Sequence, residues 1–244
     1  ILLLTPAPPT VGLGVQCVGL ALLVAIYSRL WTRSPSVPVG VEWLGAVMAL
    51  GAGLLWLGGV GTPDVLPWVA AYLVLTIAGE RLELSHIASP PPSAERLLLG
   101  LAALLAIAAP LSLITASPGN ELVALGLLGI AAWIFRFDVA RTLVRSTGLP
   151  RFSAANMLAG ALWLAVSGAI WLTTGPLTGS ATYDSVVHTI TLGYAISMIF
   201  GHAPIIFPAL IRRPLPYHPT LWIPSVLLHA GLAIRVISDL RGWG

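Results

Sequence analysis

Apolar runs long enough to cross a bilayer recur eight times in this chain, at roughly 11–31, 41–61, 65–88, 94–115, 121–144, 153–175, 183–211 and 219–240. A spanning helix needs about twenty mostly apolar residues. Inside hydrocarbon every backbone N–H and C=O must be bonded within the protein, so only helices and closed barrels survive there. Turn chemistry separates the runs: Ser34-Pro35, Thr62-Pro63-Asp64, Pro90-Pro91-Pro92, Ser117-Pro118-Gly119-Asn120, Gly148-Leu149-Pro150, Gly175-Pro176, and Pro214 through Pro219. No strand-like alternation competes. The expected fold is all-α, a polytopic transmembrane helix bundle forming one domain over residues 1–244. The opening Ile1-Leu2-Leu3-Leu4 reads as the tail of an earlier helix or of a signal segment.

Composition agrees. Charged residues make up 9% of the chain and mean hydropathy is +0.92, against about a quarter charged in soluble proteins. Such a chain is not expected to be a secreted disulfide scaffold, a nucleic-acid-binding module or a cytosolic enzyme. Its single cysteine, Cys17, cannot close an internal disulfide. The twelve basic residues are all arginines, and the net charge is +3. Connections after spans one, three, five and seven hold Arg29 and Arg33, Arg81 and Arg96, Arg136, Arg141, Arg145 and Arg151, and Arg212 and Arg213. Connections after spans two, four and six hold none, only Asp64, Glu121 and Asp184. By the positive-inside rule the arginine-rich side faces the cytoplasm, in the expected setting of a bacterial inner membrane.

Ionisable groups within the spans are suspects for function. His188 and His202 lie fourteen residues apart on the seventh span. Wound as an α-helix, they stand about 40° apart around the axis and about 21 Å apart along it, so they are expected on one face at opposite depths. Gly193, Ser197 and Gly201 form a small-xxx-small row on the other face, suited to close helix approach. Pro204 and Pro208 are expected to kink or end the helix just beyond His202. His229, on the eighth span, is expected at nearly the depth of His202. Neutral imidazole ligates haem iron, copper and zinc, which makes His188, His202 and His229 candidate metal ligands. The simpler reading of each is a hydrogen bond across helices.

The fourteen-residue spacing is similar to that of the membrane cytochromes b, whose second helix repeats it as this one does not. The stretch His188-Thr189-Ile190-Thr191-Leu192-Gly193-Tyr194-Ala195-Ile196-Ser197-Met198 resembles a histidine-bearing helix of the NnrS-type haem and copper membrane proteins, distant associates of haem-copper oxidase subunit I. That resemblance implies haem, b-type in the first instance, with copper as the alternative, bound by intramembrane histidines. An oxygen-reducing haem-copper centre needs more histidines than the five present. The expected role is therefore electron transfer within a larger assembly, with a quinone or redox protein as partner, other membrane subunits alongside, and no nucleic acid.

Arg235, near the depth of His188, could meet a haem propionate or simply pair with Asp239 one turn later. Arg136 could serve a cofactor carboxylate, while Asp138 and Arg141 make an equally good structural pair. Glu80, Arg81 and Glu83, followed by His86, read as a solvated helix end or the mouth of a proton path, and His218 as an exposed loop residue. The glycines from Gly51 to Gly61 read as a packing surface, and the nine tryptophans as an interfacial belt. Two other functions share these features: a transporter or permease with a histidine-lined path, and a cofactor-free anchor subunit. The orientation is testable with Cys17→Ser and single cysteines introduced elsewhere. A membrane-impermeant maleimide added to intact cells is expected to label Ser117→Cys and to spare Ser34→Cys and Ser146→Cys.

Overall fold

The computed structural model describes residues 9–85, 90–177, 181–213 and 216–242. The elements are α1 (Pro9–Arg33), α2 (Val37–Leu57), α3 (Thr62–Ser85), α4 (Pro92–Ile114), α5 (Ala116–Phe137), a short α6 (Ala140–Leu143), α7 (Gly148–Thr174), α8 (Ala181–His188), a π-helical segment (Thr189–Ile196), α9 (Ser197–Ile211), a 3-10 turn (Pro219–Leu221) and α10 (Trp222–Leu240). Among the described residues no strand occurs and eight helices are long and apolar enough to cross a membrane, the seventh running continuously through α8, the π segment and α9. The chain is a multi-pass membrane protein. Its outward side chains fit that setting: α1 exposes Val11, Val15, Val18, Leu22, Ile26 and Leu30 along one face, which only a lipid surface or another helix accepts.

Several boundaries differ from those expected. Pro150 does not break the sixth span but sits in the first turn of α7, where its missing N–H costs no helical bond. The break expected at Ser117-Pro118-Gly119-Asn120 shrinks to Thr115, and those four residues open α5. The tight corner depends on Gly119, because a Cβ there would run into the backbone of Leu111 and Ser112. The fifth span stops at Phe137 instead of 144, since the Asp138 carboxylate accepts the Ala140 N–H at 2.7 Å and closes a turn. Pro204 and Pro208 do not end the seventh span. α9 carries both and closes on Arg212, whose left-handed backbone (φ 53) caps the helix. His86 and Ile1 to Leu4 lie outside the described residues.

By internal contacts the chain forms two compact units: Ile1–Glu83 with Glu95–Val123, and Leu84–Ala94 with Ala124–Gly244. In the first, α1 lies along α2, with Cys17 and Leu20 against Gly53. Across α2 and α3, Gly51 accepts the Trp68 ring and Gly45 meets the Thr76 side chain and the Tyr72 carbonyl. The expected glycine surface is thus real at Gly51 and Gly53. Gly58, Gly59 and Gly61 instead lie beyond α2, in the turn to α3, Gly59 at φ 82.

The second unit is organised around α7. The seventh span buries Ser185 and Val186, Thr189 and Ile190, Gly193 and Tyr194, Ser197 and Met198, then Gly201. That is one small residue every fourth position, from Ser185 to Gly201. An α-helix turns every 3.6 residues, so such a stripe would drift about 40° per repeat and leave its partner. The π segment, with its wider i→i+5 turns, slows the winding and keeps the stripe on α7. Close approach follows: a Cβ on Gly193 would come within 2.6 Å of Trp163 Cβ, and one on Gly201 within 3.0 Å of Met157 Cγ and the Ser153 carbonyl. α10 contributes a narrow inward stripe of Ser225, His229, Leu232 and Val236 and exposes Ile223, Val226, Leu227, Ile234 and Ile237.

Even one methyl group should be felt on the stripe. Gly193→Ala is expected to destabilise the protein by about 1–3 kcal/mol through overpacking. Gly231→Ala, in open space on α10, is expected to be neutral or stabilising. Thermal unfolding of the two variants in detergent checks the contrast.

Candidate functional site

The three histidines singled out from the sequence all fall in the second unit, and their hydrogen bonds fix which nitrogen carries the proton. His188 Nδ1 lies 2.8 Å from the Asp184 carbonyl, and His202 Nδ1 lies 2.7 Å from the Met198 carbonyl. A carbonyl only accepts, so both Nδ1 atoms are N–H donors, and in the neutral rings it is Nε2 that carries the lone pair. His229 is the reverse. The Trp163 indole N–H donates to its Nδ1 at 3.0 Å, which puts the proton of the neutral ring on Nε2. That Nε2 is buried and has no hydrogen-bond partner.

These facts test the fit to haem or another imidazole-ligated metal. His188 and His202 share one feature of metal-binding histidines, an Nδ1 anchored to backbone. His229 cannot offer Nε2 to a metal without giving up the Trp163 bond. The expected depth match also shifts. Ser225 Oγ donates to Asn156 Oδ1 at 2.7 Å, and Gly201 abuts the neighbouring Met157. His202 is therefore level with Ser225, and His229 is four residues farther along α10, about 6 Å away. α9 packs on α7, while α10 packs on α8 and the π segment. His202 is anchored to the Met198 carbonyl and His229 to Trp163, on helices whose main packing partners differ.

His188 and His202 do not share a face either. With the buried stripe repeating every four residues, the fourteen between them make about three and a half turns and send the rings to opposite sides of the helix. Among the described residues no group of three or more His, Cys, Asp or Glu side chains is placed to hold a metal ion.

Arg235 does sit at the level of His188, as expected, with Asp184 between them. Arg235 Nε donates to Asp184 Oδ2 at 3.1 Å, its terminal nitrogen bonds the same oxygen, and Asp239 Oδ2 lies 3.8 Å away. His188 Nδ1 is 3.4 Å from the other Asp184 oxygen, and Ser185 Oγ donates to Asp239 at 3.2 Å. These residues clip α8 to α10 beside an open cleft of about 670 Å³ lined by Asp184, Gly231, Arg235, Ser238 and Asp239. Arg235 is held by two carboxylates, so the pairing with Asp239 is joined by a closer one with Asp184, and a propionate would have to displace Asp184.

At the other end of this unit, Arg136, Arg141 and Arg145 line a second cleft of about 270 Å³. Here Arg141 donates to the Arg136 carbonyl at 2.7 Å, in place of the expected pairing with Asp138, whose carboxylate faces the Ala140 N–H. His218 is exposed, as expected, and caps the 3-10 turn through Thr220.

The full length of the chain, residues 1–244, matches the family described as Domain of unknown function (DUF8744). The chain belongs to the DUF8744 family. No curated protein and no solved structure matches it.

Three features of this DUF8744 chain went unread in its sequence. Trp163 and Asn156, mid-helix on α7, hold His229 and Ser225. Trp133 and Trp171 are fully buried, and Trp133 donates to the Ala94 carbonyl at 2.8 Å, so the tryptophans are not simply a belt. In the other unit, Glu42 is 6% exposed, with Oε1 lacking a hydrogen-bond partner and its side chain against Gly79. Its signal was available: it is the only acid on the second span.

The Trp163–His229 bond can be weighed by a double-mutant cycle with Trp163→Phe and His229→Phe. A coupling of about 1 kcal/mol in thermal unfolding is expected for an interhelical bond in a membrane, and a coupling of zero would remove it from the site.

Proposed function

We propose that this DUF8744 chain is a haem-binding membrane protein of electron transfer, with His188 and His202 as ligands through Nε2. The observation that carries this reading is the pair of Nδ1–H bonds to the carbonyls of Asp184 and Met198, which fixes the ligating tautomer at both rings. Bound haem, most simply b-type, would supply reversible one-electron carriage; copper on the same nitrogens is the alternative. The residues themselves orient the rings, and the clip of Asp184, Arg235 and Asp239 keeps α8 against α10 beside His188. Because the two rings leave the helix on opposite sides, each would hold its own centre. Any further ligands would come from another subunit. Partners are then a quinone or a redox protein, and the arginine-rich connections face the cytoplasm of a bacterial inner membrane.

Protein purified from haem-replete cells is expected to show a Soret band. His188→Ala and His202→Ala should each remove part of it, and His229→Ala should leave it intact while lowering thermal stability. A colourless, metal-free preparation overturns the proposal.

A second reading is favoured by a separate observation. Ser153 Oγ, Ser197 Oγ and His229 Nε2 are buried without partners along the faces of α7, α9 and α10 that also hold the Asn156–Ser225 pair. Such a polar seam suits a proton or small-solute path. Flux in proteoliposomes that is lost in His229→Ala, without a chromophore, would select it over haem.

A further inference from the structure

No described histidine lines the second cleft of the α5–α10 unit, where three arginines meet one lining acid. Arg136 ends α5, and Arg141 and Arg145 follow through α6 and the turn beyond it. All three are exposed and line one cleft together with Thr142, Phe137 and Asp138. The Asp138 carboxylate is fully buried and accepts the Ala140 N–H, whereas the three guanidinium-bearing residues are exposed. Counted at full charge, three arginines against one aspartate leave +2. Two of the three are pre-set: the Arg136 guanidinium carbon lies 5.1 Å from the centre of the Phe137 ring, and Arg141 is tied to the Arg136 carbonyl at 2.7 Å. Ordered guanidinium forks converging on a polar cleft recognise tetrahedral oxyanions through paired hydrogen bonds.

We propose that Arg136, Arg141 and Arg145 form a binding site for a phosphate group. The geometry favours the headgroup of an anionic phospholipid, because the cleft begins where the fifth span ends, at Phe137, which is the depth of lipid phosphates. The chemistry shared with a soluble phosphate is the dianionic or monoanionic PO4 unit itself. Positive-inside topology accounts for arginines on this side of the membrane, but not for three of them around one cleft. The site is independent of the haem reading, and its test does not involve the histidines.

The test uses the full chain in nanodiscs of phosphatidylcholine with and without phosphatidylglycerol, read by native mass spectrometry of retained lipid. Retention of phosphatidylglycerol is expected to fall at least about tenfold in the triple variant Arg136→Gln, Arg141→Gln, Arg145→Gln, the loss expected when charged hydrogen bonds to one group are removed. It should be unchanged in Arg29→Gln with Arg33→Gln. The triple Lys variant keeps the charge that sets topology but loses the paired geometry, so it should fold and insert normally and show an intermediate loss. A second arm adds inorganic phosphate to protein in phosphatidylcholine alone and reads the thermal midpoint. Stabilisation by phosphate at millimolar concentration, abolished in the Lys variant, with no preference for phosphatidylglycerol, would assign the site to a soluble phosphate. Equal lipid retention by all variants, with no phosphate effect, overturns the proposal.

Discussion

A helix that presents a small side chain at every fourth position cannot hold that face against a straight neighbour while turning every 3.6 residues. The seventh span meets this geometric conflict by widening its turns from Thr189 to Ile196. Everything that distinguishes the second unit follows from that adjustment. Gly193 and Gly201 stay against α7, Trp163 is free to reach across to His229, and the two remaining histidines are turned to opposite sides of their own helix. Backbone bonding in hydrocarbon makes the solution costly to vary, since wider turns must still satisfy every carbonyl within the protein.

The spans themselves were legible because length and apolarity are enough to announce them, and the small-residue row was legible because side-chain size is written in the sequence. Winding was not. Placing His188 and His202 on one face assumed uniform α-geometry, and the structure departs from it just where the row of small residues demands. The depth match of His202 with His229 failed by about one turn, since counting residues from two span ends cannot register one helix against another. Asn156 and Ser225 do that here, and neither looked chemical in a list of polar residues. Glu42 was illegible for a different reason: its burial depends on Gly79 of α3 lying opposite, and one span's composition does not say which helix packs against it.

Arginine meets two fates in the second unit. Arg235 is drawn between Asp184 and Asp239, so its charge is used up in joining α8 to α10, and little attraction remains for an outside carboxylate. Arg136, Arg141 and Arg145 face the reverse condition, exposed around a cleft whose one lining acid, Asp138, is fully buried. A residue count assigns both places the same cation. The hydrogen bonds of the surrounding carboxylates decide whether that cation is structural or available.

The widened turns also bear on how this family can change length. A wide-turn stretch inside an α-helix holds, in effect, one surplus residue. Removing one residue between Thr189 and Ile196 would let the stretch rewind as ordinary α-helix, and the tighter winding would take up most of the roughly 100° that a lost residue costs elsewhere in a helix. Gly201 would stay close to Met157, although the stripe of small residues would begin to drift off α7. Relatives that keep this architecture should therefore accept a one-residue gap in this segment more readily than anywhere else along the seventh span.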